Sequence, residues 1–496
     1  MTAADKEDPF VTSVEHRSAR VRQGSLFVAI KGERADGHTF VEDAVGRGAA
    51  AVVAERPVPV PDGVALLLVD DSRKALGNLA AFANGEPSER LVMIGITGTN
   101  GKTTIAWLVE QVLSAAGESP GVIGTINYRY DGKAFDNPLT TPEASELQRI
   151  LKEMADSGTS HVVMEVSSHG LALERVRGCR FDVAVFSNLS QDHLDFHKDM
   201  GDYAEVKKRL FSTYLGGKKG SKPCAAVINI SDSAGSRMLG AVHGCRLFKV
   251  GRKEDGAEIY PVEKSFDLSG IRAVIETPAG RLRIRSPLAG AFNLENILCA
   301  AALGVCLGVP VPVIEKGIGA VENVPGRLER ISDEAGRHVF VDYAHTPDAL
   351  ENVLNTLREI TSGRLVCVFG CGGDRDKDKR PKMGDIAGRL SDIAVITSDN
   401  PRSESPMTII EAIRQGTSRV MPRCNSLEGG ASAARETSGY IVEPDRKKAI
   451  LLAIEAARAG DAVLIAGKGH ETYQIIKEEI LPFDDRQMAI EGLSRY

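Results

Sequence analysis

"LVMIGITGTNGKTTIAWLVEQVLSAAG" (residues 91–117) decides how the rest of the chain is read. An apolar run with the composition of a buried strand breaks at Gly98-Thr99-Asn100-Gly101-Lys102-Thr103-Thr104. Apolar residues then recur at three- and four-residue spacing, the pattern of an amphipathic helix. A glycine-rich turn between strand and helix is where a phosphate loop sits. Its backbone N–H groups and the helix N-terminus cradle phosphates, a lysine reaches the terminal ones, and a hydroxyl is available to Mg²⁺. The strict GxxxxGK[ST] spacing is not kept, because Ile96 stands five residues before Gly101. A turn that contains lysine by chance is the plain alternative, and the flanking strand and helix argue against it. The loop is therefore expected to bind nucleotide in a variant form.

The remaining chain fits that start. Its 496 residues suggest about three domains of ordinary size. A composition of 43% hydrophobic and 26% charged residues is that of a soluble globular protein. The formal charge of −6, with one tryptophan, supplies neither a basic nor a stacking surface for nucleic acid. The eight cysteines lie scattered with no CxxC pair, and are expected to be reduced thiols of a cytoplasmic protein. The first ten residues, "MTAADKEDPF", have no apolar stretch of the kind an export signal needs, and membrane insertion is not expected.

Composition and punctuation divide the chain into residues 1–88, 89–325 and 326–496, with "NGEPSER" and "VENVPGRLER" at the joints. The expected class is α/β throughout. A small N-terminal α/β domain leads, a central P-loop-type ATPase domain with a mostly parallel sheet follows, and a Rossmann-like α/β domain ends the chain. "HVVMEVSS", "FDVAVFSN" and "AAVINI" in the second block are uninterrupted apolar runs, as parallel strands buried on both faces require. The third block repeats the alternation through "HVFVDYAH", "LVCVFGCGG", "IAVITSDNP" and "AVLIAGKGHE". Ligands of such sheets bind beyond the carboxyl ends of the strands.

Several strand ends carry groups with chemistry. Glu165 interrupts an apolar strand, where a carboxylate is costly unless it is paired or bound to metal; a salt-bridged structural role is the plain alternative. "FSNLSQDHLDFH" gathers Asn188, Asp192, His193, Asp195 and His197, donors that suit Mg²⁺ better than zinc. In "GDYAEVKKRLF", Lys207 and Lys208 read as solvated helix lysines. Asn293 and Asn296 share one face at the start of an apolar helix, where a cap explains Asn293 without further function. In the third block Asp342, Tyr343 and His345 precede a helix begun by Pro347. Arg375, Lys377, Lys379 and Arg380 follow three glycines, and Lys468, His470 and Glu471 follow the last strand. Each of these is an ordinary polar loop taken alone. In Asp399-Asn400-Pro401-Arg402 the first three residues suffice for a turn, and Arg402 is surplus to it.

Eight stretches in order, "GSLFVAIKG", "GITGTNGKTT", "LTTPEASELQ", "MEVSSHGLAL", "SNLSQDHLDFH", "DYAEVKKRLF", "VDYAHTPDAL" and "SDNPR", resemble the Mur ligases, ATP-dependent amide-forming enzymes of peptidoglycan assembly. The resemblance spans essentially the whole chain and points to the branch that adds meso-diaminopimelate to UDP-N-acetylmuramoyl-L-alanyl-D-glutamate. It implies that Gly98 to Thr104, Asn293, Asn296, Asp342 and His345 bind ATP. It implies that Ser18, Thr140, Thr141, Ser167 and Arg175 hold the UDP-muramoyl dipeptide. The family's "DSR" is "RSA" at 17–19, and Leu173 replaces a frequent glutamine. Thr103, Glu165, His193 and a carbamate formed from CO₂ on Lys207 are implied as Mg²⁺ positions, with Lys102 beside them in catalysis. Arg375, Asp399, Asn400, Pro401, Arg402, Gly467 and Glu471 match the diaminopimelate pattern, and the enzyme is expected to act as a monomer. Within the family an L-lysine-adding ligase is the alternative, and from another class a P-loop NTPase switch, which leaves Arg402 unexplained. Folylpolyglutamate synthase, a more distant relative, has no need of the first block.

Overall fold

The computed structural model describes residues 10–32, 35–194, 196–216, 224–424 and 438–495. The first sheet joins β1 (Ser13–Glu15), β2 (Ser25–Val28), β3 (Ala49–Ala54) and β4 (Ala65–Leu68) in sequence order, all parallel. The second contains β5 (Val92–Thr97), β6 (Pro120–Ile123), β7 (Tyr128–Tyr130), β8 (Lys133–Phe135), β9 (His161–Glu165), β10 (Val183–Phe186), β11 (Ala225–Asn229) and β12 (Arg246–Val250). Its order is β12-β11-β10-β5-β9-β6-β7-β8, parallel from β12 to β6 and antiparallel at the β7–β8 edge. β5, which feeds the phosphate loop, is therefore interior, between β9 and β10.

The apolar runs are strands for the reason anticipated. Side chains alternate across a strand, so Ile94, Ile96, Val163, Val183 and Val185 enter one core and Met93, Val162, Met164, Ala184 and Phe186 enter the core on the opposite face. The helix Lys102–Ala115 turns Ile105, Leu108, Val109 and Val112 into the first of these. A small antiparallel sheet follows, β13 (Tyr260–Asp267), β14 (Gly270–Glu276) and β15 (Leu282–Ser286). The expected strand–helix alternation did not single it out. Its signal is the alternation in "LRIRS", where Leu282 and Ile284 are buried and Arg283 and Arg285 exposed.

The last large sheet holds β16 (Glu329–Ile331), β17 (His338–Asp342), β18 (Leu365–Phe369), β19 (Ile393–Ile396), β20 (Gly439–Val442) and β21 (Ala462–Ala466), in the order β16-β17-β21-β18-β19-β20. Only β16 runs antiparallel. The hairpin β22 (Tyr473–Ile476) and β23 (Glu479–Pro482) follows it. Among the described residues no helix is long and apolar enough to cross a membrane.

Two expectations are corrected here. Cys224 and Cys245 are joined as a disulfide, so the eight cysteines are not all free thiols. Their neighbours Ala225 and Arg246 are paired across β11 and β12, which places the two Cα atoms 4.8 Å apart. That proximity comes from the sheet and is invisible in a separation of 21 residues. Asn293 is also not a cap. The helix Ala291–Cys306 begins after Gly290, and the Asn293 amide donates back to the Ala289 carbonyl.

Candidate active site

The phosphate loop is held from the next strand. Thr99 N–H donates to the Asn188 carbonyl, Asn100 N–H to Asn188 Oδ1, and Ser187 Oγ to the Asn100 carbonyl at 2.6 Å. Gly101 has a left-handed φ of +86°, and a Cβ there would run into Asn296 Oδ1. Asn296 in turn donates to Asn293 Oδ1 at 3.0 Å, so the expected pair does share a face, and that face lies against the loop.

Lys102 Nζ donates to the carbonyls of Gly98 and Thr99, each at 2.9 Å. Lys207 Nζ reaches the same Gly98 carbonyl at 2.8 Å. The solvated reading of Lys207 is overturned, because the residue is 1% exposed. Burial, and then the neighbouring Lys102 charge, drive its ammonium well below the ordinary lysine range, favouring a neutral amine. Lys208 behaves as expected and pairs with Glu205 along the helix.

Glu165, at the end of β9, is buried and served by hydroxyls and an amide instead of a cation. Thr103 Oγ1 donates to its Oε2 at 3.1 Å, Thr125 Oγ1 to the same oxygen at 2.9 Å, and Thr125 N–H to Oε1 at 2.9 Å. The Thr103 proton is thereby directed at the carboxylate, and of its oxygen's two lone pairs one accepts from Arg327 Nη2 at 3.3 Å, leaving the other for a further partner. Hard oxygens at the start of a helix beside a phosphate loop fit Mg²⁺.

The polar run 188–197 is not assembled as a cluster. Among the described residues no group of three or more His, Cys, Asp or Glu side chains forms a metal site. Asn188 is engaged by the loop, and His197 is buried against Tyr203 and Asp202. His193 adopts a left-handed φ of +56° with its ring edge-on to His169. Asp195 lies outside the described residues.

The residues expected to hold the dipeptide meet on the other side of Glu165. Thr140 Oγ1 lies 3.1 Å from Thr125 Oγ1. Thr141 Oγ1 donates to the Glu165 carbonyl and lies 3.1 Å from Ser167 Oγ, which caps the next short helix through Gly170 N–H. Arg175 is fixed by Glu143 at 2.8 Å, and Glu143 also pairs with Arg73 at 3.5 Å. Arg73 donates to the carbonyls of Leu173 and Lys31, tying the first sheet's region to the second. Ser18 is in the first block, where its hydroxyl helps hold the Asp43 carboxyl below its usual range.

The third block contributes two groups. Asp342, expected at the nucleotide, uses both carboxylate oxygens on backbone, accepting from Leu328 N–H at 2.6 Å and Ala344 N–H at 2.8 Å. These bonds set the turn after "VPG". There Gly326 packs so closely on Gly469 and His470 that a Cβ would meet backbone. Arg327, which sequence reasoning passed over, extends from this turn to Thr103 Oγ1 at 3.3 Å and stacks over Tyr343. His345 Nδ1 lies 2.8 Å from the Tyr343 carbonyl, and Lys379 donates to the His345 carbonyl.

Arg402, Asp399, Asn400, Gly467 and Glu471 do converge where β19 and β21 end. Arg402 has a left-handed φ of +52° and is clasped by β22, donating N–H to Ile475 and accepting from Lys477 N–H. Its Nη1 donates to the Gly373 carbonyl at 2.8 Å. Pro401 passes against Gly373, and Asp399 lies against Gly467, where a Cβ would come within 2.6 Å of its carboxylate. Arg375 stands on the exposed rim beside Asp374. Lys377 is exposed as well, whereas Arg380 is buried in an ion pair with Glu404.

An interior strand feeding a phosphate loop, a carboxylate under its hydroxyl and a polar cluster at the ends of a second parallel sheet are the parts an ATP-dependent ligase needs, and likeness to known proteins identifies the class. The chain belongs to the Mur ligase family. The Mur ligase middle domain matches residues 96–304, the Mur ligase glutamate ligase domain 326–469, and the Mur ligase family catalytic domain 10–84. A relative from Geobacter metallireducens, UDP-N-acetylmuramoyl-L-alanyl-D-glutamate–2,6-diaminopimelate ligase, is 47% identical across 95% of this chain and 91% of its own. A relative of the same name from Bacillus velezensis is 43% identical across 98% of this chain and 94% of its own. A solved structure of an enzyme of that name superposes with a TM-score of 0.69 at 33% identity, covering 98% and 95% of the two chains.

Proposed function

We propose that this protein joins meso-2,6-diaminopimelate to the D-glutamyl γ-carboxylate of UDP-N-acetylmuramoyl-L-alanyl-D-glutamate, using ATP, in peptidoglycan synthesis. The observation that carries it is 47% identity, over 95% of the chain, with a ligase of that name, together with an intact Asp399–Arg402 turn. Residues 1–88 would take the uridine end, with Ser18, and residues 89–325 the ATP. Residues 326–496 would take the incoming amino acid. The enzyme would act as a cytoplasmic monomer.

The chemistry runs in two steps. A γ-carboxylate oxygen attacks the γ-phosphorus of ATP, forming an acyl phosphate and releasing ADP. The amine of diaminopimelate then attacks the acyl carbon, and the tetrahedral adduct expels phosphate and loses a proton. Lys102 and the loop N–H groups stabilise charge on the transferring phosphoryl group. Thr140, Thr141, Ser167 and Arg175 hold the dipeptide carboxylate near it, and Asn293 and Asn296 support the nucleotide face of the loop. Thr103, Glu165 and His193, with a carbamate on Lys207, would hold Mg²⁺, which supplies charge neutralisation. The buried amine of Lys207 suits carbamate formation, since only the uncharged amine adds CO₂. Arg402 and Arg375 would bind the distal carboxylate of diaminopimelate, with Glu471 and Asp399 facing its distal ammonium.

Phosphate release is measured with ATP, the UDP-muramoyl dipeptide and one amino acid at a time. Release is expected only when the dipeptide and meso-diaminopimelate are both present. Equal or faster release with L-lysine, or release with ATP alone, would overturn the proposal.

A further inference from the structure

Lys468 lies wholly inside the amino-acid cluster, with its side chain 0% exposed. Its ammonium donates to Asn400 Oδ1 and to Glu471 Oε2, both at 3.1 Å, and stands 3.9 Å from Asp399 Oδ1. Asn400 completes the triangle, donating from Nδ2 to Glu471 Oε2 at 2.9 Å and accepting at Oδ1 from Ile475 N–H. The geometry has a local cause. Glu471 N–H donates to the Lys468 carbonyl, closing a turn that puts both side chains on one side, and Gly469 takes a φ of +54° within it.

Two consequences follow. Glu471 Oε2 is saturated by internal donors, so the partly exposed carboxylate is held in one rotation with Oε1 free to face a ligand. Within the cluster the charges also balance, two carboxylates (Asp399 and Glu471) with two cations (Lys468 and Arg402), while Arg375 stands outside it on the exposed rim and donates to the Asp374 backbone carbonyl. A neutral cluster suits a substrate terminus that is itself neutral, an ammonium and a carboxylate on one carbon. It suits a lone ammonium less well, because nothing offsets the added positive charge.

Resting on the function proposed above, we infer that Lys468 is a positioning residue that sets amino-acid specificity. It locks Glu471 and Asn400, and it balances the cluster so that a zwitterionic side-chain end is chosen over a simple amine. Specificity is a difference between two affinities, and a fixed charge that penalises the competitor is one way to widen it.

The test compares wild type with Lys468→Met, which keeps the length and removes the charge, and with Lys468→Gln, which keeps a donor without charge. Steady-state phosphate release is measured against meso-diaminopimelate, L-lysine, ATP and the UDP-muramoyl dipeptide. In both variants the KM for diaminopimelate is expected to rise at least tenfold. The ratio of kcat/KM for diaminopimelate to that for lysine should fall at least tenfold, a difference of about 1.4 kcal/mol. The KM for ATP and that for the dipeptide should stay within twofold. An unchanged selectivity ratio in a folded variant overturns the inference. So does a parallel loss for all substrates, which would mark Lys468 as structural only. Wild type that fails to use diaminopimelate would instead refute the proposed function, so the two failures are distinguishable.

Discussion

Thr125→Val removes one oxygen and almost no volume, and it strikes the support of Glu165. In the wild type three donors fix that carboxylate: Thr103 Oγ1, Thr125 Oγ1 and Thr125 N–H. Valine keeps the N–H contact to Oε1 and deletes the 2.9 Å bond to Oε2, leaving that oxygen with Thr103 alone. A hydrogen bond to a charged group contributes about 1.5–3 kcal/mol net. Thr125 is only partly buried, so water can replace some of what is lost, and the lower end applies. About 1.5 kcal/mol is roughly tenfold in an equilibrium constant.

If Glu165 and Thr103 hold Mg²⁺ together, the loss falls on the metal. The Mg²⁺ concentration for half-maximal phosphate release should rise about tenfold with the other substrates saturating. The KM for the amino acid should not change, because the amino-acid cluster has no part in this carboxylate's support. Thr125→Ser, which keeps the hydroxyl, should stay near wild type. A Thr125→Val enzyme with the wild-type Mg²⁺ requirement and kcat would refute the chain from Thr125 through Glu165 to the metal.

Lys207→Ala should abolish amino-acid-dependent phosphate release, and added bicarbonate should not restore it; full activity would remove the carbamate from the mechanism. Asp485→Asn leaves the fully buried Arg446 guanidinium without its carboxylate, a loss of about 3–5 kcal/mol in urea unfolding; a loss below 1 kcal/mol would contradict the geometry. The two bonds from Arg380 hold the Glu404 carboxyl down, from 4.5 to about 2. A depressed carboxylate contributes stability above its unfolded pKa and loses it as pH falls through the folded one. Wild type should therefore lose more stability than Glu404→Gln between about pH 4.5 and 2, and parallel thermal-midpoint curves over that window would refute it.

How much of this was legible in the sequence depends on the range of the cause. Parallel strands buried on both faces must be apolar throughout, so "HVVMEVSS" and "AVLIAGKGHE" announce themselves from composition. Thr346 caps the helix that Pro347 begins, again a local effect. The disulfide depended on pairing between separated strands, whereas the Asn293 bond to Ala289 and the consecutive hairpins at 260–286 are local features, the second marked by the alternation in "LRIRS". Arg327 was passed over because only the folded turn at Gly326 delivers its guanidinium to Thr103, 224 residues earlier in the chain.

The site divides the same way, and Lys207 shows why. Its helix, Met200–Arg209, offers two adjacent lysines that local spacing cannot rank. The fold ranks them, since one points at Gly98 behind the phosphate loop and the other at a glutamate on its own surface. Arg402 reverses the case. Its surplus over the needs of a turn was visible beforehand, but its left-handed backbone was not, because the β22 pairing that imposes it comes about seventy residues later. Local sequence thus marks where a charge is unexplained, and tertiary contacts decide what it does. Lys468 combines both. Two acidic side chains and an amide at the ends of separate strands need an internal cation only once the sheet has brought those ends together. Removing Lys468 should therefore cost stability as well, so the selectivity ratio is read in a Lys468 variant shown to be folded.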